Sequence, residues 1–179
     1  MELPLAYFGN PILRKKGLLI KDINQDILQL VKDMEETMNV FNGIGIAAPQ
    51  VQRNLALFLI NVPLETEDDE NIILGKTRVF INPKILSVSH EEWDRGEGCL
   101  SIPKVYGVVS RPLKIKVEAL DINGNTFIEE FSDLEARCIL HENDHINGVL
   151  FIDRVRGKQR QDMELELRKI KKKYETKKR

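Results

Sequence analysis

"CILHENDHINGVLF", residues 138–151, sets His141, Glu142 and His145 in the order His-Glu-x-x-His. On a helix, residues four apart lie one above the other, so both imidazoles project from one face as a pair of metal ligands. The flanks predict that helix. Ser132 and Glu135 form an S-x-x-E capping box, which starts it near Asp133, and Asn147-Gly148 offers a left-handed stop. Upstream, "KIKVEALD" (114–121), Ile122-Asn123-Gly124-Asn125 and "TFIEEF" (126–131) read as two strands around an Asn-Gly turn. The motif therefore sits on a capped helix that follows a hairpin.

Working outward, Ile23, Ile27, Leu30, Val31, Met34 and Met38 fall at helical spacing and predict an amphipathic helix from Asp22 to about Phe41. "LALFLI" (55–60) and "RVFINPKILSV" (78–88) are β-branched and aromatic runs, read as strands. The acidic stretch between them, "PLETEDDENIILGKT" (63–77), reads as a solvated loop. After Arg156 the chain becomes one charged helix carrying Met163, Leu165, Leu167, Ile170 and Tyr174. Its bland reading is a solvated helix end and tail; the alternative is a basic face for a polyanion such as ribosomal RNA. Truncation after about Lys158 is accordingly expected to spare turnover.

The chain has 179 residues, of which 42% are hydrophobic and 31% charged, enough for one domain over 1–179 with a basic helix at about 157–179. A formal net charge of -1 argues against a protein that coats DNA or RNA over its whole surface. Nowhere do apolar residues run long enough to cross a bilayer, and Pro4 and Pro11 interrupt the start, so a cytoplasmic location is expected, with no membrane partner. Two cysteines, Cys99 and Cys138, in a reducing compartment are core fillers, nucleophiles or ligands sooner than a disulfide.

A catalytic metal takes three protein ligands plus water, so a third must be found. The metzincin extension requires a histidine where Phe151 stands, which closes that route. A thermolysin-like zinc endopeptidase would draw on Glu164 or Glu166 from a following helix. Cys138 lies on the histidine face but two turns from His145, so it lines a site more readily than it ligates. Cys99, in "GEGCLSIP", sits where backbone can approach closely and would bind as thiolate. His90, in "HEEWD", is read as a surface residue. Gly43-x-Gly45-x-x-Ala48 formally fits a dinucleotide fingerprint, but it follows a helix and runs through Pro49 into a strand, the reverse of the context that fingerprint needs.

Three segments, "GIGIAAPQ" (43–50), "EGCLS" (97–101) and "HENDH" (141–145), together resemble the signature motifs of the peptide deformylase family, in order and with comparable separations. The similarity runs from about "YFGNPILR" to "VLFIDR" and includes "VFINPKI" and "GVVSRP". It implies an α+β fold, with antiparallel sheets packed around a central helix that carries the two histidines, and a C-terminal helix. It implies that Cys99, His141 and His145 hold one divalent ion, Fe(II) in the cell with Zn, Ni or Co able to take its place. Glu142 then serves as general base and acid, and the Gln50 amide and the Leu100 N–H stabilise the developing oxyanion. The resemblance further implies N-formylmethionyl nascent peptides as substrate, bound in extended form along Ile44 and Gly45. Their methionine would enter a pocket walled by Ile44, Leu134, Cys138 and His141. Arg137 falls at that wall in place of an apolar residue, and Glu97 with Arg111 corresponds to a charged pair that braces the metal loop. On the alternative reading of the C-terminal helix as a basic face, the ribosome is the further partner expected. A binding module that retains an idle site is the remaining class, and Glu142 and Gln50 beside all three ligands argue against it.

Overall fold

A computed structural model describes residues 1–63 and 75–175; most of the acidic stretch and the last four residues lie outside them. Helix α1 spans Gln25–Val40. Asn24 caps it, its side-chain oxygen accepting the Ile27 N–H at 3.1 Å, which moves the start three residues inside the expected one. Strands β1 (Gly45–Ala47), β2 (Leu57–Ile60), β3 (Arg78–Val88), β6 (Lys114–Leu120) and β7 (Thr126–Ser132) form one antiparallel sheet in the order β1-β2-β3-β6-β7. Strands β4 (Glu92–Cys99) and β5 (Ile102–Pro112) form a separate antiparallel ribbon. Helix α2 (Asp133–Ile146) carries the histidines, and α3 (Gly157–Asp162) and α4 (Glu164–Glu175) close the described chain.

Strand β2 explains how the sheet is buried on two sides. Successive side chains alternate in direction, so Leu57 and Leu59 meet Met34 and Met38 of α1, while Phe58 and Ile60 join Ala136 and Ile139 of α2 on the other face. All four residues are therefore buried, and the run is continuously apolar instead of alternating. Each such side chain contributes about 1.5–3 kcal/mol by leaving water.

The turn before β7 forms as the sequence predicts. Asp121 Oδ1 accepts the Asn123 and Asn125 N–H groups at 2.8 and 2.9 Å, and Gly124 takes φ +83°. The capping box does not form. Asp133 sits at φ +54° and its N–H still donates to the Leu113 carbonyl at 2.9 Å, so the chain enters α2 while paired to the sheet and Ser132 makes no side-chain cap. At the other end Gly148 takes φ +73° against the Arg14 carbonyl, where a Cβ would come within 2.6 Å of that oxygen.

The C-terminal segment differs from the solvated tail expected of its charge. Met163, Leu167 and Ile170 are buried with Ile102, Val105 and Val109 of β5 and with Leu150, Phe151 and Ile152. Lysines and arginines occupy the other faces of the helix, which is why its composition hides the stripe. No helix among the described residues is long and apolar enough to cross a membrane.

Candidate active site

Cys99 is the last residue of β4, just before the turn into β5, and α2 presents His141 and His145 to it. Cys99 Sγ lies 3.2 Å from His145 Nε2, and one ligand atom from each of Cys99, His141 and His145 lies within 4.8 Å of the others. A sulfur and two imidazoles at that separation can share one ion. The fit extends to the surroundings. His141 Nδ1 is 3.0 Å from Glu97 Oε2, so its other ring nitrogen is the one left for an ion. Burial, then the charges of His141 and Arg111, push His145 well below its ordinary value, into the neutral form that ligates metals. Burial would lower His141 too, but the hydrogen bonds to Cys99 and Glu97 and the charge of Glu142 raise it well above its ordinary value. Anionic partners around that ring make the spot attractive to a cation.

Glu142 is 3% exposed, and its Oε2 finds no partner among the described residues. Burial, helped by Glu97 and Asp144 and opposed by His141 and Arg111, pushes its carboxyl up to about 7. A group poised there exchanges a proton readily near neutral pH. The backbone of β1 passes close beside it. A Cβ on Gly45 would lie 2.5 Å from Glu142 Oε1 and 2.9 Å from Cys138 Sγ, so glycine is required for the strand to run this near.

Gln50 follows β1 in a short 3-10 turn, Ala48–Val51. Its Oε1 accepts the Ala47 N–H at 2.8 Å, which aims Nε2 at the metal loop, 3.5 Å from Cys99 Sγ and 3.3 Å from Ser101 Oγ. The glycine-rich segment thus runs from helix through strand into a tight turn, without the strand-to-helix passage of a nucleotide site.

Behind the ligands runs a buried ionic chain. Arg111 donates Nε and Nη2 to Glu97 at 2.6 and 2.9 Å and Nη1 to Asp144 at 2.9 Å, and Arg154 grips Asp144 with two bonds of 2.6 Å. Burial would raise Glu97, but Arg111 and His141 hold it well below the usual carboxylate range. Arg137 adds a further donor to Glu97 at 2.6 Å and one to the Val109 carbonyl at 3.0 Å, with its guanidinium over the Trp93 ring. It lines the cavity, as its position predicts, but turns its charge inward onto Glu97. Sequence reasoning missed Ser101, Asp144 and Arg154. Asp144 stands at an x position of the motif, and nothing in the pattern itself signals that it is buried and paired.

Ile44, Gly45, Gln50, Leu100, Leu134, Cys138, His141 and Glu142 all line a cavity of about 550 Å3. Cys138 Sγ donates to the Ile44 carbonyl at 3.3 Å, and burial pushes its thiol well up, so it acts as wall and not as ligand. Glu164 and Glu166 pair with Arg160 of α3 and with Arg168 and Lys169 of α4 and do not join the ligand group. His90 is exposed.

The chain is similar to known proteins of one family. The family model described as polypeptide deformylase matches residues 2–161. A peptide deformylase of Psychrobacter cryohalolentis is 43% identical over 151 residues, covering 84% of this chain and 78% of its own. One from Acinetobacter baumannii is 39% identical over 168 residues, covering 94% and 91%. Among solved structures, the Plasmodium falciparum peptide deformylase superposes with TM-score 0.88 at 30% identity over 98% of this chain and 99% of its own. That of Ehrlichia chaffeensis gives 0.87 at 36% identity over 99% of each.

Proposed function

The chain belongs to the polypeptide deformylase family of metal-dependent hydrolases, and from that premise we propose that it cleaves the formyl amide of N-formylmethionyl nascent peptides, adding water to give formate and a free amino terminus. Cys99, His141 and His145 hold the divalent ion, Fe(II) in the cell. When bound, the ion supplies Lewis acidity. Glu142 accepts the proton of the attacking water at its carboxylate and returns it to the leaving nitrogen, so one group serves both halves of the reaction. The Gln50 Nε2 and the Leu100 N–H donate to the formyl oxygen as its charge grows.

Edge strand β1 supports the substrate pose: among the described residues it pairs with β2 on one side only, so an extended peptide can add along its other edge at Ile44 and Gly45. The methionine side chain enters beside Ile44, Leu134, Cys138 and His141. The basic outer face of α4 serves the ribosome, and the reaction belongs in the cytoplasm, where nascent chains emerge and Cys99 stays reduced.

The observation that carries the reading is the meeting of Cys99 with both histidines beside the buried, unpartnered Oε2 of Glu142. Metal-loaded protein mixed with formyl-Met-Ala-Ser should release formate stoichiometric with new amino termini. Glu142→Gln should lower that rate by about 100-fold or more. Cleavage of an internal peptide bond, or no formate from the loaded protein, would contradict the proposal.

A further inference from the structure

The cavity does not stop at the reacting groups; its lining continues to Tyr7 and Tyr174, which come from opposite ends of the described chain. Tyr7 is placed by its neighbours. The Ala6 N–H donates to the Gln50 carbonyl at 2.7 Å and the Phe8 N–H to the Ser101 carbonyl at 2.9 Å, so Tyr7 is strung between two residues of the site. Tyr174 is placed by α4. Met163, Leu167, Ile170 and Tyr174 recur at intervals of four, three and four, one stripe of a helix. The first three are buried under β5, and the last turn brings the fourth onto Tyr7 with ring centroids 3.7 Å apart and planes 11° from parallel. Both rings are only partly buried.

We infer that this stacked pair is a subsite for an apolar or aromatic side chain on one of the residues that follow formylmethionine, so that the C-terminal helix selects among substrates. The inference rests on the deformylase reading. Continuity identifies the occupant: one cavity joins the pair to the cleft where the formyl amide sits, and a nascent chain extends onward from that cleft. The ring faces set the preference: an apolar or aromatic side chain meets aromatic surface there, while the charges nearest the pair are of both signs, Glu2 acting on Tyr7 and Lys173 Nζ 5.3 Å from the centre of the Tyr174 ring.

The test scans Phe, Ser and Lys through the four positions after methionine in formyl-Met pentapeptides and compares kcat/KM within each variant, so that any loss of folded protein cancels. At one position Phe should exceed both Ser and Lys by about three- to tenfold, carried by KM. Tyr174→Ala should bring the Phe-to-Ser ratio near one, and Tyr174→Phe, which keeps the stack, should retain it. A ratio near one at every position in the parent protein, or a ratio that survives Tyr174→Ala, overturns the subsite. Absence of formate from every peptide would instead sink the deformylase reading. The same Phe-to-Ser ratio is then read from fluorescence-polarisation binding of the labelled peptides, where equal affinities overturn the subsite on its own.

Discussion

Replacing Arg111 by Met removes the central link of the buried ionic chain and keeps the side-chain length. Arg111 is 3% exposed and makes three charge-assisted bonds, two to Glu97 and one to Asp144. Removing one partner of a buried ion pair costs about 3–5 kcal/mol, because a desolvated charge is left behind. Neither carboxylate is stranded here: Glu97 keeps Arg137 at 2.6 Å and His141 at 3.0 Å, and Asp144 keeps Arg154. The lower end, about 3 kcal/mol, is therefore expected. For a chain of this length that lowers Tm by roughly 6–12 °C, at about 2–4 °C per kcal/mol. Circular dichroism melts of metal-loaded protein read the shift. Glu97 also fixes the ring of His141, so the variant should lose its ion to a chelator faster, in line with the roughly 10–100-fold cost of losing such outer contacts. A Tm within about 2 °C of the parent together with unchanged metal retention would refute the claim that the chain braces the site.

Gly45→Ala sets a methyl 2.5 Å from Glu142 Oε1 and 2.9 Å from Cys138 Sγ and should cut formate release by about 100-fold, since displacing a reacting group by about 1 Å is that costly, while overpacking the buried wall lowers stability by about 1–3 kcal/mol. Chelation should abolish turnover and lower Tm, and re-addition of a divalent ion at about 100 times its Kd should restore about 2.7 kcal/mol, read by thermal shift. Truncation after Lys158 strips Met163, Leu167 and Ile170 from the core, so a markedly lowered Tm is expected. Burial would raise Asp153, but Arg14 and the Leu150 N–H outweigh it and lower the carboxyl, so its contribution is present above the ordinary carboxylate value and fades as pH falls through the lowered one. Asp153→Asn should cost about 1 kcal/mol or less at pH 7, both partners being partly solvated, and nothing in strong acid, as urea melts at the two pH values would show.

The sequence made the histidine helix, the β6–β7 hairpin and the bounds of β3 legible because each depends on residues close in the chain. The ribbon of β4 and β5 escaped notice for a physical reason. Its inward positions alternate correctly, but Gly107 and Arg111 occupy two of them, and an arginine reads as a surface residue until its buried carboxylate partners are known. The same blindness hid Asp144 and the inward turn of Arg137, since charge pairing across 33 or 40 residues leaves no local pattern. The capping box illustrates the opposite failure. Its residues are present, but the Asp133 N–H is held by the carbonyl of Leu113, between β5 and β6, and the cap does not form. Charge likewise masked α4, whose apolar stripe was visible at helical spacing but could not be told from a solvated helix until β5 was seen beneath it.

X-ray absorption at the metal edge of zinc-loaded protein bears most directly on the shared ion. One sulfur at about 2.3 Å and two imidazole nitrogens at about 2.0–2.1 Å are predicted, with the sulfur signal lost in Cys99→Ser. A shell of nitrogen and carboxylate oxygen without sulfur would contradict the assignment of Cys99, His141 and His145 as one metal centre.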